Sequence, residues 1–491
     1  MDQAYEFKTK PYQHQFDAWH ASRDAQFHAL FLEMGTGKSK VAIDTMGYLF
    51  EKNQIDSALI IAPKGVYDNW VQKELPTHLP DRIPTMVVRW QSNTTKVWED
   101  QIQKLFARGR GKIKPGEAPS LGIFVMNVEA LSTVRGAKVA TLFVETFRHT
   151  LVIVDESTTI KNRQAARTRA LLRIGESAKY RRILTGSPVT KSPMDLFSQC
   201  LFLSPVALGF SSYFAFQNRY AIMVQRQLGH RSFQDIVGYR RLDELTEKLG
   251  QFSTRILKSE CLDLPEKVYL RRNITLTDEQ KEAYRQMKEL ALAQLDSGEL
   301  ATTSSVLTQI MRLQQIVCGH LTTDEGVIEE LPSRRLDELL ELLDETQGKV
   351  IVWANWTHDI RKIEKALATK YGKGVVASYY GDTPQEDRQA IVTRFQDESS
   401  PLRFFVGQPR TGGYGITLTA ASTMVYYSNG YDLEIRLQSE DRAHRIGQRN
   451  TVTYIDFVSP DTIDEKILKA LQGKVNLASQ VLGEDVRSWF T

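Results

Sequence analysis

Cysteine is scarce: three in 491 residues, Cys200, Cys261 and Cys318. They are widely spaced and odd in number, so they build neither a disulfide framework nor a CxxC metal site, and buried free thiols are expected. Long apolar runs are also missing. The longest, such as Leu151-Val152-Ile153-Val154 and Val350-Ile351-Val352-Trp353, fall far short of the ~20 residues of a bilayer-spanning helix. The opening Met1-Asp2-Gln3-Ala4-Tyr5 lacks the basic-then-apolar order of a secretory signal. The expectation is an intracellular, cytoplasmic protein (nuclear in a eukaryotic host) with no membrane partner. Charge of one sign is scarce too: 63 Lys and Arg against 59 Asp and Glu leave +4, too little over this length to identify a polyanionic partner. Short repeats and low-complexity tracts are absent. What is present is ordinary for a globular chain: 42% hydrophobic and 25% charged residues exclude disordered and collagen-like classes. The length suits roughly three domains at about 150 residues each.

The first half alternates short apolar strands with helical stretches, the pattern of a parallel sheet covered by helices. Leu30–Leu32, Ala58–Ala62, Gly122–Met126 and Leu151–Val154 are its expected strands. From 206 to 325 strand character fades, and helices are expected over Thr277–Leu300 and Val306–Val317. Alternation resumes with Lys349–Trp353, Val375–Tyr379, Arg403–Val406, Met424–Tyr427 and Tyr454–Val458, and an amphipathic tail follows from Thr462. The expected architecture is α/β: a lobe over 1–205, a mainly helical insertion over 206–325, a second α/β lobe over 326–461 and a helical brace over 462–491.

Strand Leu30–Leu32 runs into Glu33-Met34-Gly35-Thr36-Gly37-Lys38-Ser39. Glycines between a strand and a helix let backbone N–H groups turn inward as an anion nest. Lys38 would then reach β- and γ-phosphates, and Ser39 would ligate Mg²⁺. Alone, the segment also fits an ordinary glycine turn, because Leu32 stands where the strict phosphate-loop pattern has glycine. Asp155 and Glu156 close a second apolar strand, which puts two carboxylates at the carboxyl edge of the sheet: Asp155 suits a Mg²⁺ ligand and Glu156 a water-polarising base. A helix N-cap would account equally well for the pair by itself. Far downstream, Arg442 and Arg445 stand three apart, a helical spacing that puts both guanidiniums on one face and would suit arginine fingers at a γ-phosphate.

The string Gln438-Ser439-Glu440-Asp441-Arg442-Ala443-His444-Arg445-Ile446-Gly447-Gln448 resembles the most diagnostic motif of the SWI/SNF-type branch of superfamily-two helicase-like ATPases. Other segments resemble the family's motifs in the same order: Pro11-Tyr12-Gln13 with Trp19, Glu33–Ser39, Asp155-Glu156, Leu184-Thr185-Gly186-Ser187-Pro188, and Pro409–Ile416. Ser157 and Thr158 depart from it, where this branch often has Ala or Gly and His. The resemblance implies two RecA-like lobes, ATP and Mg²⁺ as cofactors, and Lys38, Asp155, Glu156, Arg442 and Arg445 as catalytic residues. It makes Gln13 the purine contact, with Gln15 the alternative. The remaining nucleotide contacts it implies are Gly35, Thr36, Gly37, Lys38, Ser39, Gly413 and Gly415; Ser39 and Asp155 are the metal ligands.

Between Lys161 and Arg182 eight Lys and Arg residues face the single acid Glu176, a candidate track for a phosphate backbone. Lys104–Lys114 has the composition of a loop, and Arg219, Arg226, Arg231, Arg240 and Arg241 follow a cluster of aromatics. Trp353 reads as core. No sequence-reading module is seen, so contacts to DNA are expected mainly at the backbone. The expected function is DNA-stimulated ATP hydrolysis driving translocation on duplex or branched DNA, as in fork regression or branch migration. A strand-separating DNA or RNA helicase and a non-catalytic DNA-binding scaffold are the alternatives.

Overall fold

The computed structural model describes residues 5–111, 119–228, 231–296, 303–323, 325–412 and 416–482. Short apolar runs bounded by turn residues give β1 (Phe27–Leu32), β2 (Ser57–Ala62), β3 (Thr85–Arg89), β4 (Leu121–Asn127), β5 (Thr150–Asp155) and β6 (Tyr180–Leu184). β2 and β5 are buried along their whole length, because helices cover both faces of the sheet and neither side of the strand meets water. β7 (Ala221–Leu228) and β8 (Arg231–Tyr239) form a two-stranded sheet, and β9 (Ser253–Ile256) returns to the first one. The first sheet has the order β3-β4-β2-β5-β6-β1-β9, with parallel neighbours throughout. Because β6 lies between β5 and β1, the segments that follow β5, β6, β1 and β9 succeed one another along one carboxyl edge, where α/β sheets bind ligands.

The second sheet uses β10 (Lys267–Asn273), β13 (Lys349–Trp353), β14 (Val376–Tyr379), β15 (Phe404–Gly407), β16 (Ala421–Tyr426) and β17 (Val452–Val458); β11 (His320–Thr322) and β12 (Ile328–Glu330) pair separately. Its order is β10-β17-β16-β13-β15-β14, again with parallel neighbours. Val350 and Val352 join one apolar cluster while Ile351 and Trp353 join another. The period of two sends alternate side chains of β13 to opposite covered faces. Trp353 is fully buried core.

The chain divides into two units. The first holds the described residues up to 222, 238–263 and 477–482, and the second those in 223–237 and 264–476. Three expectations differ from this arrangement. The section 206–325 is not one helical body: β9 completes the first sheet and β10 edges the second. Strands of four residues and half-exposed edge strands are too short or too polar to stand out by periodicity. The aromatic and arginine-rich stretch through Arg241 contains β7 and β8. Lys104 to Gly109 belongs to a helix, Lys96–Gly109, because Trp98, Ile102 and Leu105 recur at i, i+4 and i+7 and are buried. Residues 112–118 lie outside the described residues, as do 297–300 of the helix expected over Thr277–Leu300, which is described as Asp278–Asp296. The tail is the helix Ile463–Leu482.

Candidate active site

β1 ends at Leu32 and the helix Lys38–Glu51 starts the next regular element. Gly35 (φ +85°) and Gly37 (φ +96°) occupy the left-handed region that glycine alone adopts freely. The turn they make carries backbone N–H groups toward the helix N-terminus, the arrangement that holds phosphates. Thr36 is buried and its hydroxyl donates to the Glu33 carbonyl (2.7 Å). Glu33 in turn is held from β9: its carboxylate accepts the Lys258 N–H (2.6 Å) and its own N–H donates to the Ile256 carbonyl (3.0 Å). Lys38 and Ser39 open the helix rather than closing the loop before it.

Gln13 and Gln15 lie on different faces of the helix Gln13–Ser22. The Gln13 amide is exposed and donates to Asp17 (2.8 Å). Gln15 is buried; it accepts the Tyr12 N–H and donates to the Thr36 carbonyl (both 3.1 Å), which also bonds the His14 ring nitrogen (2.9 Å). A Cβ on Gly37 would lie 2.2 Å from the Gln15 amide nitrogen. Of the two candidates, Gln15 touches the phosphate loop.

At the end of β5, Asp155 is buried among three partners. Its Oδ2 accepts the Trp70 indole N–H (2.9 Å) and its Oδ1 accepts the Glu156 N–H (3.0 Å). Burial pushes its carboxyl up, opposed by the Lys38 charge and by these two bonds. Glu156 has φ +47°, a strained conformation for a residue with a side chain, and its carboxylate stands 3.9 Å from the Lys38 ammonium, both side chains nearly buried. Thus the cation of the β1 loop and the acidic pair of β5 meet around one space. Between them, the β6 loop is locked in place: a Cβ on Gly186 would lie 3.2 Å from the Met34 nitrogen, and the Arg255 guanidinium donates to the carbonyls of Phe31 (3.0 Å) and Gly186 (2.8 Å).

In the second unit Arg442 and Arg445 meet the same short segment. Arg442 is buried and donates to the carbonyls of Gln438 (2.9 Å) and Ile416 (3.0 Å); Arg445 donates to the Thr417 hydroxyl (2.9 Å). They do not share a helical face, because the helix Leu433–Glu440 stops before them and turns follow. Gln448 holds those turns through its amide nitrogen, whose two N–H groups lie within reach of the carbonyls of Thr419 (3.1 Å), Ala421 (2.9 Å) and Ala443 (3.2 Å), a set that a periodicity reading cannot foresee. Gly413 and Gly415 lie outside the described residues.

The basic run 161–182 is not one surface track. Arg182 is fully buried, donating to the carbonyls of Ser22, Ala25 and Arg181, and burial brings its pKa down to about 10. Arg163 lies 4.5 Å over the Tyr213 ring. Arg169 and Arg173 are exposed and four apart on the helix Ala166–Ser177, so they do share a face.

Sequence reasoning missed Trp70, which opens a π-helical turn (Trp70–Glu74). Nothing in one sequence ties it to a carboxylate 85 positions away, although π turns gather at functional sites. Arg255 was missed as well: its bonds to Phe31 and Gly186 span 224 and 69 positions.

A family model described as SNF2-related domain matches residues 12–321, and one described as Helicase conserved C-terminal domain matches 334–447. Among curated relatives, a probable chromatin-remodeling complex ATPase chain of Oryza sativa subsp. japonica is 27% identical over 92% of this chain and 38% of its own length. A DNA annealing helicase and endonuclease of Mus musculus is 27% identical over the same two shares, and the SWI/SNF chromatin-remodeling complex subunit snf22 of Schizosaccharomyces pombe is 27% identical over 92% of this chain and 26% of its own length. The chain thus spans between a quarter and two fifths of these relatives. A solved structure, the Sulfolobus solfataricus SWI2/SNF2 ATPase core in complex with dsDNA, aligns over 98% of this chain and 94% of its own at 23% identity and TM-score 0.42. The first family model covers well over half the sequence and takes in the phosphate loop, the Asp155-Glu156 pair and the β6 loop, and the second ends among the turns that carry Arg442 and Arg445: the chain belongs to the SNF2-related family of helicase-like ATPases.

Proposed function

We propose that the chain hydrolyses ATP under stimulation by DNA and uses the cycle to translocate along duplex or branched DNA. The observation that carries this reading is the carboxyl edge of the first sheet, where the phosphate loop, Lys38 and the Asp155-Glu156 pair converge. The Gly35–Ser39 backbone cradles the phosphates and Lys38 neutralises them. Among the described residues no group of three His, Cys, Asp or Glu side chains has metal-holding geometry. That suits Mg²⁺, which takes one or two protein oxygens beside water and substrate phosphate; Ser39 and Asp155 would hold it. Held by Ser39 and Asp155 beside ATP, the ion would supply charge neutralisation for the triphosphate. Glu156 orients the attacking water and receives its proton; its strained backbone and the neighbouring Lys38 fix the carboxylate in place. Arg442 and Arg445 are the arginine fingers in this reading, and Gly413 and Gly415 are further nucleotide contacts.

DNA as the partner is supported by the exposed Arg169 and Arg173 and by the DNA in the name of the mouse relative. A strand-separating helicase on DNA or RNA is the second reading, favoured by the match to the helicase C-terminal domain. The deciding assay is ATP turnover with single-stranded, duplex, forked and four-way DNA and with RNA, for the unaltered chain and for Lys38→Ala and Arg445→Ala. Stimulation by duplex or branched DNA, loss of turnover in the first variant and retained ATP binding with lost stimulated turnover in the second are expected. Turnover indifferent to every polynucleotide refutes the proposal, and normal turnover in Arg445→Ala refutes the finger assignment.

A further inference from the structure

Trp70 is fully buried in the apolar cluster that also holds Leu32, at the end of β1, and Val41 and Ala42 of the helix after the phosphate loop. Packing alone does not oblige its indole nitrogen to bond a carboxylate. Trp19, Trp353 and Trp356 bury theirs with no partner among the described residues, and the Trp98 indole donates to a backbone carbonyl, that of Arg89 (2.7 Å). Of these five, Trp70 is the one whose N–H ends on a side chain of the site, at Oδ2 of Asp155 (2.9 Å). The turn that carries it is held at both ends. Trp70–Glu74 winds as a π helix between the short α-helical segments Tyr67–Asn69 and Leu75–His78, and the Asn69 amide donates to the Glu74 carboxylate (3.1 Å).

A carboxylate turns broadly about its Cβ–Cγ bond unless its oxygens are held. At Asp155 both are held, Oδ1 by the Glu156 N–H (3.0 Å) and Oδ2 by Trp70. The first donor belongs to the next residue of the chain, and a carboxylate bonded there alone can pivot about it. The second comes from 85 positions away and stops the pivot. An ionised carboxylate offers about four acceptor sites. With two taken, the sites left to a cation or its water point in set directions. Mg²⁺ demands near-ideal octahedral geometry, whereas Ca²⁺ accepts longer and more varied oxygen contacts, so the aim of one carboxylate matters more to Mg²⁺.

We propose that Trp70 is a positioning residue for the metal–nucleotide complex: it aims the Asp155 carboxylate and thereby favours Mg²⁺ over a larger divalent cation. The inference rests on reading this edge as an ATPase site with Asp155 as a ligand of the ion.

The test measures cation binding at equilibrium in the presence of a non-hydrolysable ATP analogue, Mn²⁺ by electron paramagnetic resonance and Mg²⁺ and Ca²⁺ by their displacement of it. The full chain is compared with Trp70→Phe and with a chain carrying benzothienylalanine at position 70, an isostere that keeps the fused rings and replaces the N–H by sulfur. Trp98→Phe, which loses an indole bond to a carbonyl instead, is the matched control. Mg²⁺ affinity is expected to fall about tenfold in both position-70 variants, the lower end of the cost of losing a ligand's outer partner. Ca²⁺ affinity should fall less, and Trp98→Phe should bind both ions as the unaltered chain does. The isostere stands if Trp70→Phe fails to fold. Unchanged Mg²⁺ affinity in the isostere, equal losses for the two cations, or the same loss in Trp98→Phe overturns the assignment. If the unaltered chain holds no cation with the nucleotide, the ATPase reading fails and the assignment with it; firm binding that is indifferent to the isostere sinks the role of Trp70 alone.

Discussion

Gly37→Ala probes the contact between the first helix and the phosphate loop. At φ +96° and ψ +30° an alanine carries a left-handed conformation that costs roughly 1–2 kcal/mol. Its Cβ would also stand 2.2 Å from the Gln15 amide nitrogen and 2.9 Å from the Gln15 Cδ, so the amide must leave. It then gives up its bonds to the Thr36 carbonyl and from the Tyr12 N–H, each contributing about 1 kcal/mol. The expected loss is about 3–4 kcal/mol for Gly37→Ala and about 2 kcal/mol for Gln15→Ala. The double variant should lose about 3–4 kcal/mol rather than the sum, because the amide displaced by the first change is absent in the second. Urea unfolding followed by tryptophan fluorescence measures all four species, and ATP affinity measured beside it should drop in Gly37→Ala. Additive losses, or a Gly37→Ala chain of unaltered stability, refute the described contact between Gln15 and the loop.

Trp70→Phe removes the indole donor that favours the charged Asp155; the Asp155 carboxyl should rise further, and the acid limb of the pH profile for ATP turnover should move to higher pH. An unmoved limb shows that Asp155 ionisation does not govern turnover. Arg169→Ala and Arg173→Ala should each reduce the salt dependence of DNA binding by about one unit of log–log slope, whereas Arg182→Ala, buried among three carbonyls, should lower stability instead; equal salt slopes in all three would refute the surface assignment. His28, buried against Thr254, is pulled from 6.5 down to about 4 by burial and then by Arg182. A histidine held neutral in the fold contributes stability above its unfolded pKa of about 6.5 that is lost as pH falls through about 4. The full contribution is on the order of 3 kcal/mol. His28→Gln should flatten that acid loss in a pH series of unfolding midpoints, and an identical slope would refute it.

The class of fold and the residue types of the candidate site were legible in local pattern. Apolar runs apolar on both faces announced parallel strands, and Gly35, Gly37, Lys38, Asp155 and Glu156 were legible because a phosphate nest and its acidic pair need particular residue types directly after such strands. Local pattern is enough for that, since each requirement is met within a few neighbouring residues. Which helix face Gln13 and Gln15 take, where the helix before Arg442 stops, and that Arg182 is core while Arg169 and Arg173 are surface were decided only by tertiary packing. So were the bonds of Trp70 to Asp155 and of Ser157 to Gln199, made across 85 and 42 positions. Hydrogen bonds of that span leave no local mark. They depend on the strand order that sets β6 between β5 and β1 and on buried polar atoms having to find a partner wherever the fold provides one.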